Sequence, residues 1–246
     1  MMPIIGAFRA SRLLLHLIYG FALASVFPRF NAGLRRRILQ RWSSHLLCIL
    51  NVKVISERMN MPDSGIVVTN HISWLDVFVL NAIAPMRFVA KSEVRQWPLF
   101  GWLCSQAQTL FIERGRARDA ARINRQLVKL LQDGESLVVF PEGTTTDGKA
   151  VGSFHASLLQ PAVDAEAAVY PVAIRYQDKH GRHSTAAAYI DDVSFMTSLW
   201  NILVCKSLHV RLVATSSIDA SDSDRRSVAH QAREQIHAAI LEMSAP

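Results

Sequence analysis

The sequence predicts an α/β fold, with a mixed, mostly parallel sheet flanked by helices and preceded by an N-terminal pair of amphipathic helices. From Val52 onward, short apolar runs alternate with longer runs of helical periodicity, as in a sheet covered by helices. Several of the apolar runs are nearly continuous, which is typical of strands buried on both faces. At 246 residues the chain is long enough for one sizeable domain and a small appendage. We therefore expect a two-helix segment at residues 1–50 and a single domain at residues 51–246.

The predicted strands and helices follow from these runs. The strands are expected at Val52–Ile55, Ile66–Thr69, Phe88–Ala90, Thr109–Ile112, Leu137–Phe140, Ala168–Ile174, Ala186–Ile190 and Leu208–Thr215. Helical periodicity lies near residues 74–84, 116–133, 155–166, 192–204 and 222–243.

The basic character of the chain is confined to its first 50 residues. The formal net charge is +7, and residues 1–50 hold seven arginines and no Asp or Glu, whereas the remaining residues hold 20 basic and 20 acidic side chains. The arginines are interleaved with Leu, Ile and Trp rather than with solvated polar residues. This pattern favours an anionic membrane surface over a nucleic acid as the partner of the segment.

Residues 13–27 are apolar except for His16 and Ser25, but this run is too short for a confident membrane span. The run imitates a signal peptide, yet the basic, membrane-like character continues beyond it, so we expect no cleavage. Arginines flank it on both sides, which would place both ends on the cytoplasmic side. We predict an interfacial or re-entrant helix, with a short tilted span as the alternative. Residues 32–50 read as a second amphipathic helix, which could lie on the membrane, pack on the domain, or do both.

The three cysteines, Cys48, Cys104 and Cys205, are widely spaced and fit no metal or redox pattern. We expect free thiols in the core, a reducing compartment, and neither a bound metal nor another cofactor.

The stretch from Asn70 to Asp76 joins an apolar, strand-like run to an apolar, helix-like run. Five residues separate His71 from Asp76, so on a regular helix their side chains would lie about 140° apart. They can meet if His71 lies just before the helix and Asp76 in its first turn. Ser73 is a suitable N-cap and forms a near capping box with Asp76. The alternative is that Asp76 only caps the helix and His71 is an ordinary loop residue.

Three further predicted strands end in, or contain, distinctive residues. Glu113-Arg114 follows one strand, Pro141-Glu142-Gly143-Thr144-Thr145 follows another, and Pro171 lies inside a third. Ligands of open α/β sheets bind where loops leave the carboxyl ends of strands. We therefore expect these residues to share a single active site with His71.

Together these blocks resemble, in order and spacing, the four blocks of the glycerolipid acyltransferases, and most closely those of the 1-acylglycerol-3-phosphate acyltransferases. The blocks are Asn70-His71-(four residues)-Asp76, Phe111-Ile112-Glu113-Arg114, Phe140-Pro141-Glu142-Gly143-Thr144 and Val169-Tyr170-Pro171-Val172-Ala173-Ile174. Ala90-Lys91-Ser92-Glu93 resembles a further signature of the family. The resemblance runs from about residue 51 to residue 176 and implies the fold of that family.

The resemblance also implies roles for the matching residues. His71 would be the general base that takes a proton from a lysolipid hydroxyl as it attacks an acyl thioester, and Asp76 would hold its ring. Lys91 and Arg114 would bind an anionic head group or the phosphates of the donor. Glu142, with Gly143 and Thr144, would lie in the block that binds the acceptor, although Glu142 could instead stabilise its turn. Backbone N–H groups near Gly143 or Ser73 are the candidates for the oxyanion site.

Two departures from the family pattern leave the acceptor open. Thr145 stands where many members that use a phosphate acceptor have Arg, and Glu113 stands where Asp is common. The expected acceptor is 1-acyl-sn-glycerol-3-phosphate, and lyso-ornithine lipid is the alternative. The expected donor is acyl-CoA or acyl carrier protein, and the expected location is the cytoplasmic face of the inner membrane.

Two other classes of function compete with acyl transfer. A lipid hydrolase with a Ser-His-Asp set is disfavoured because the sequence contains no Gly-x-Ser-x-Gly elbow. A non-catalytic membrane-binding protein would explain the basic N-terminal segment, but it leaves the four ordered blocks unexplained.

Overall fold

The computed structural model describes residues 2–58, 64–97, 100–112 and 117–244 of the chain. Its helices are α1 (Met2–Val26), α2 (Ala32–Leu50), α3 (Asp76–Ile83), α4 (Phe100–Gln106), α5 (Ala117–Gln132), α6 (Gln160–Asp164), α7 (Phe195–Val204) and α8 (Arg225–Glu242). Its strands are β1 (Val52–Glu57), β2 (Gly65–Thr69), β3 (Arg87–Lys91), β4 (Leu110–Ile112), β5 (Ser136–Val139), β6 (Val169–Gln177) and β7 (Leu208–Ala214). Short 3₁₀ turns lie at Phe27–Arg29, Ser92–Gln96 and Ala156–Leu159.

The seven strands form one sheet in the order β1-β7-β6-β2-β5-β3-β4. Every neighbouring pair is parallel except β6 and β7, which are antiparallel, so the predicted mixed, mostly parallel sheet is confirmed. Val68 of β2 lies opposite Val139 of β5, and the two strands therefore end at the same edge of the sheet. The loops that carry His71 and Glu142 both leave from that edge.

The sheet is buried on both faces, as its continuous apolar strands predict. Val67 belongs to a core under α2, α3 and α7, whereas its neighbours Ile66 and Val68 belong to a second core under α5, α6 and α8. Successive residues of a strand point to opposite faces, so both faces need apolar side chains. The two cores hold the central strands rigidly beneath the polar edge.

The predicted strand Ala186–Ile190 is wrong, since this segment has no strand in the structure. The backbone of Tyr189 is engaged elsewhere. Its N–H donates to the carbonyl of Ile72 at 3.0 Å, and its carbonyl accepts a bond from the hydroxyl of Thr145. The segment therefore supports two loops of the polar edge instead of pairing with a strand.

The first helix is longer than the sequence predicts. Within the described residues, one helix, Ile4–Arg29, is long and apolar enough by length and composition to cross a membrane. The expectation that the apolar run ends at residues 13 and 27 and is too short for a span is therefore wrong. The reason is that α1 begins upstream of its arginines, so Arg9 and Arg12 lie inside the helix rather than before it.

The second helix is confirmed at the predicted residues, and it packs against both the domain and α1. Leu46, Leu47 and Leu50 of α2 are buried in the core of the domain. Trp42 of α2 stacks on His16 of α1, with ring centroids 4.5 Å apart. Its packing on the domain is thus established. The cysteines are free thiols, but Cys48 of α2 is exposed, so the expectation that all three lie in the core is wrong.

Candidate active site

Residues 70–76, the candidate for the catalytic stretch, leave the sheet at a fixed point. The side chain of Asn70 is completely buried and forms two hydrogen bonds with the backbone of Ile174 in β6. Its Nδ2 donates to the carbonyl at 2.9 Å, and its Oδ1 accepts from the N–H at 2.8 Å. The side-chain amide thus pairs with β6 as the backbone of a neighbouring strand would. It fixes the position of the backbone just before His71.

His71 lies just before α3 and Asp76 in its first turn, which is the arrangement that the spacing requires. Nδ1 of His71 lies 2.8 Å from Oδ2 of Asp76. The same oxygen accepts the backbone N–H groups of Ile72 at 2.8 Å and Ser73 at 3.0 Å. Asp76 is completely buried. A buried carboxylate needs such donors, and here they come from the loop that it shapes.

The prediction that Ser73 is the N-cap of this helix is wrong. The helix begins at Asp76 and is preceded by Leu75, which provides no side-chain cap. The hydroxyl of Ser73 accepts the N–H of Leu75 at 3.3 Å within the loop. Asp76 takes over the role of the capping acid, because its carboxylate reaches back to the N–H of Ser73.

The ring of His71 has one nitrogen engaged and one face covered. Since Nδ1 faces the carboxylate of Asp76, we assign its proton there, which leaves Nε2 with a free lone pair. The ring stacks on Phe140, with centroids 4.0 Å apart and planes 24° apart. The side chain keeps 21% of its surface exposed. The arrangement suits a base that accepts a proton from outside.

Tyr176 is part of the site, and the sequence does not reveal it. It is completely buried on β6, and its hydroxyl donates to Oδ1 of Asp76 at 2.8 Å. Burial, together with the charge of Asp76, raises the pKa of Tyr176 well above its ordinary value, so the group remains a phenol that donates. The signal was its spacing from Val172 and Ile174, since all three share one face of a strand.

Glu142 lies in the wall of the site, where both of its carboxylate oxygens bind backbone groups. Oε1 accepts the N–H of His71, and Oε2 accepts the N–H of Gly152, both at 2.8 Å. Glu142 is buried, and burial raises its pKa, while these two bonds oppose the shift. Glu142 therefore joins the loop after β5 to the catalytic stretch. Its role in acceptor binding stays a prediction.

The rest of the loop after β5 forms the turn beside His71. Gly143 has a φ of 67°, and its N–H donates to the carbonyl of Phe140 at 3.1 Å. Thr144 is exposed, and the N–H of Thr146 donates to the carbonyl of His71 at 2.8 Å. The N–H groups of Gly143 and Ser73 themselves are thus already engaged, and the prediction of an oxyanion site formed by N–H groups near these two residues stays a prediction.

The two predicted cationic residues are placed differently. Lys91 is exposed at the end of β3, which neighbours β5, so it lies at the same edge of the sheet as His71. Arg114, like Glu113, lies outside the described residues. No group of three or more His, Cys, Asp or Glu among the described residues could hold a metal ion.

An apolar cavity of about 170 Å³ lies next to the site, between α1, α2, α3, α4 and α7. Trp74 of the catalytic stretch lines it, and so does Phe88, whose ring stacks on Phe140 with centroids 6.2 Å apart. Phe140 is the ring that covers His71. The rings of Phe88 and Phe140 therefore separate the cavity from the imidazole, and the apolar lining suits part of a hydrocarbon chain.

Known proteins resemble this chain in sequence and in fold. Residues 51–175 match the family model described as Acyltransferase. The lyso-ornithine lipid O-acyltransferase of Pseudomonas aeruginosa is 38% identical over 217 residues, which cover 87% of this chain and 82% of the relative. The 1-acyl-sn-glycerol-3-phosphate acyltransferase of Neisseria meningitidis serogroup B is 38% identical over 182 residues, covering 74% and 71%. The fold is similar to that of the 1-acyl-sn-glycerophosphate acyltransferase PlsC of Thermotoga maritima, with a TM-score of 0.65, 22% identity and coverage of 97% and 98%.

Proposed function

Because the chain belongs to the acyltransferase family, we propose that it transfers an acyl chain from a thioester to the free hydroxyl of a lysolipid, with His71 as general base. The observation that carries this proposal is the pairing of Nδ1 of His71 with Asp76, which reserves Nε2 for a substrate. A histidine oriented in this way by a buried carboxylate can take a proton from a bound hydroxyl.

The reaction needs no nucleophile from the protein. Nε2 of His71 removes the proton of the acceptor hydroxyl as its oxygen attacks the thioester carbonyl and forms the new C–O bond. Asp76 stabilises the imidazolium that results. The tetrahedral intermediate then collapses, the C–S bond breaks, and the departing sulfur takes the proton from the imidazolium. The products are a lipid ester and the free thiol of CoA or of the deacylated carrier protein.

The apolar cavity supports a lipid substrate. It is lined by side chains of α1, α2 and α7 as well as by Trp74 and Phe88, so an apolar part of a lipid could bind there, beyond the rings of Phe88 and Phe140 from His71. Lys91 is proposed to attract an anionic part of the donor or acceptor, because it is exposed at the same edge of the sheet. Arg114, next in the chain to Glu113, is proposed to do the same.

We propose 1-acyl-sn-glycerol-3-phosphate as the acceptor, with phosphatidic acid as the product. The relative from Neisseria meningitidis is named for that reaction. Lyso-ornithine lipid is the second candidate, and two observations favour it. The relative from Pseudomonas aeruginosa, equally identical over a longer stretch, is named for it. Moreover, Thr145 replaces the arginine that many phosphate-acceptor members carry, and its hydroxyl is bound to the carbonyl of Tyr189.

The apolar α1 suggests that the protein works at a membrane. We propose that it associates with one leaflet through residues 1–50, in a monotopic or peripheral manner, at the cytoplasmic face of the inner membrane. The arginines of this segment lie on both sides of its apolar run, which favours the cytoplasmic side.

One assay tests the proposal and its alternative together. Labelled acyl-CoA and acyl carrier protein are each offered to 1-acyl-sn-glycerol-3-phosphate and to lyso-ornithine lipid, and the lipid products are identified by mass. Labelled phosphatidic acid as the main product supports the first acceptor, whereas the labelled ornithine lipid supports the second. Release of free fatty acid without esterification of either acceptor would contradict acyl transfer.

A further inference from the structure

One side of α1 presents large apolar side chains at the surface, namely Ile4, Phe8, Leu14, Leu15, Ile18 and Tyr19. We call these six residues the α1 stripe. Two exposed serines on the same side of the helix, Ser11 and Ser25, satisfy their hydroxyls within the helix, at 2.8 Å from the carbonyl of Phe8 and 2.7 Å from that of Ala22. Polar groups that are satisfied within the helix in this way suit an environment without water.

The helix is attached to the domain along most of its length. Near its start, Nη1 of Arg9 donates to the carbonyls of Leu203 and Cys205 at 2.9 and 2.6 Å, where α7 ends. Near its end, Phe21 stacks on Trp102 of α4, with centroids 6.0 Å apart. These two attachments are twelve residues apart, about 18 Å along a helix. Therefore α1 lies along the domain, and it could not cross a bilayer alone while keeping these contacts.

The outer side of α7 continues the same surface. The ten residues of α7 carry no charge, and Met196 and Trp200, four positions apart on one side of the helix, are 68% and 45% exposed. Gly6 of α1 lies so close to Trp200 that an added Cβ would be 3.2 Å from the indole. The exposed side of α7 therefore lies beside α1, whose opposite, outward side carries the α1 stripe.

The inner side of α7 contacts the catalytic stretch. Nε1 of Trp74 donates to Oγ of the buried Ser198 at 3.1 Å, and the ring of Trp74 lies 5.2 Å from that of Phe195. Trp74 stands between His71 and Asp76 in the chain. One side of α7 therefore belongs to the apolar surface, and the other side contacts the site.

We propose that Met196 and Trp200 join the α1 stripe in one surface that enters a single leaflet of an anionic phospholipid membrane, and that α7 thereby holds the catalytic stretch at the lipid. The occupant is inferred from continuity with α1 and from charge. Arg12, Arg29, Arg37 and Arg41 are exposed on α1, α2 and the turn between them, where they can bind lipid phosphates. This inference rests on the proposed function, since it supplies the route by which a membrane lysolipid reaches His71.

The test compares the double variant Met196→Glu/Trp200→Glu with Leu241→Glu. Leu241 is 56% exposed on α8, which covers the other face of the sheet, so its replacement is the control for a negative charge placed on an exposed apolar position away from the proposed surface. Partition onto phosphatidylglycerol/phosphatidylethanolamine vesicles is measured by flotation. We expect the double variant to bind at least about tenfold more weakly, and Leu241→Glu within about twofold of the wild type.

Acyl transfer is measured in parallel on vesicle-borne and on detergent-dispersed lysolipid. The double variant should lose about tenfold of its rate on vesicles, in proportion to binding, and keep at least about half of its rate in detergent. Unchanged vesicle binding by the double variant, or an equal loss in Leu241→Glu, would overturn the inference. A wild type that binds vesicles but transfers no acyl chain would contradict the proposed function, while the binding comparison would still test the surface.

A second measurement does not depend on the folding of the double variant. Tryptophan fluorescence is recorded for the wild type and for Trp200→Leu, which keeps the position apolar, on vesicles containing brominated lipid. We expect the difference between the two spectra, which reports Trp200, to be strongly quenched. A Trp200 signal that the brominated lipid leaves unquenched would place this residue outside the bilayer and overturn the inference.

Discussion

Asp76 and Glu142 are two buried carboxylates on either side of His71, and they are held in different ways. Asp76 is bound by the imidazole, by two backbone N–H groups and by the hydroxyl of Tyr176. Glu142 is bound by two backbone N–H groups only, one of them that of His71. Asp76 contacts the ring that would react, whereas Glu142 contacts the backbone that carries it. The difference indicates a charge that supports catalysis on one side and a brace for the loop on the other.

The largest expected effect comes from removing the charge of Asp76 while keeping the shape of its side chain. In Asp76→Asn, the amide oxygen can still face His71 and the two N–H groups, while the amide nitrogen can donate to Tyr176. The fold should therefore survive, but the imidazolium loses its stabilising charge. We expect the rate of acyl transfer to fall on the order of 10³ to 10⁴-fold, measured as kcat at saturating acceptor. A fall of less than about tenfold in the folded variant would refute the role of the charge.

The next effect tests whether Glu142 stabilises the loop after β5. In Glu142→Gln, the amide oxygen satisfies one backbone N–H, and the amide nitrogen confronts the other. One buried donor is left unpaired, so the free energy of unfolding should fall by about 1 to 3 kcal/mol, as measured in urea. Activity should fall by about tenfold to a hundredfold, well short of the effect of Asp76→Asn. Glu242→Gln, at an exposed position of α8, is the control and should change stability by less than about 0.5 kcal/mol.

A smaller effect concerns the hydroxyl of Tyr176, which donates a hydrogen bond to Asp76 but not to Glu142. Tyr176→Phe keeps the shape of the buried ring and removes one hydrogen bond to the carboxylate. We expect kcat to fall about threefold to tenfold with KM for the acceptor unchanged, because the hydroxyl acts through Asp76 and not on the substrate. A rise in KM with kcat preserved would mean that Tyr176 instead shapes the acceptor site.

The smallest effect is the pH dependence of the brace. Burial raises the pKa of Glu142, so the stability associated with its protonated form is fully present below its ordinary pKa and is lost as pH rises through the raised value. Glu142→Gln has no such group. The advantage of the wild type in the free energy of unfolding should therefore grow as pH falls from about 7.5 to about 4.5. A difference that stays constant over this range would show that burial does not control this carboxylate.

Much of the site could be predicted because it depends on neighbouring parallel strands. The ends of β2 and β5 meet at one edge, so the loops with His71 and Glu142 had to lie together. The spacing of Tyr176 from Val172 and Ile174 marks only one face of a strand, so it does not reveal a site residue. The strand β6 continues past β2 by pairing with β7, where Tyr176 lies opposite Val210, and the sequence does not show so distant a pairing. The missing strand at residues 186–190 has the same cause, since its backbone is used by Ile72 and Thr145.

The N-terminal segment shows a different limit. Its basic, apolar composition predicts two helices, and α2 has the predicted bounds. In the sequence, Arg9 lies before the apolar run and outside the predicted helix. In the structure its guanidinium binds the carbonyls at the end of α7, and the helix includes this residue. Composition could not reveal that α7, more than 150 residues later, provides the partner.

The role of His71 as general base is tested most directly by His71→Ala in a single-turnover assay with labelled acyl donor and saturating acceptor. His180→Ala, at an exposed turn position, is the control and should behave like the wild type. We expect His71→Ala to fold, to bind vesicles as the wild type does, and to lose acyl transfer by at least about 10³-fold. Transfer at a near-normal rate in the folded, membrane-bound variant would contradict the account.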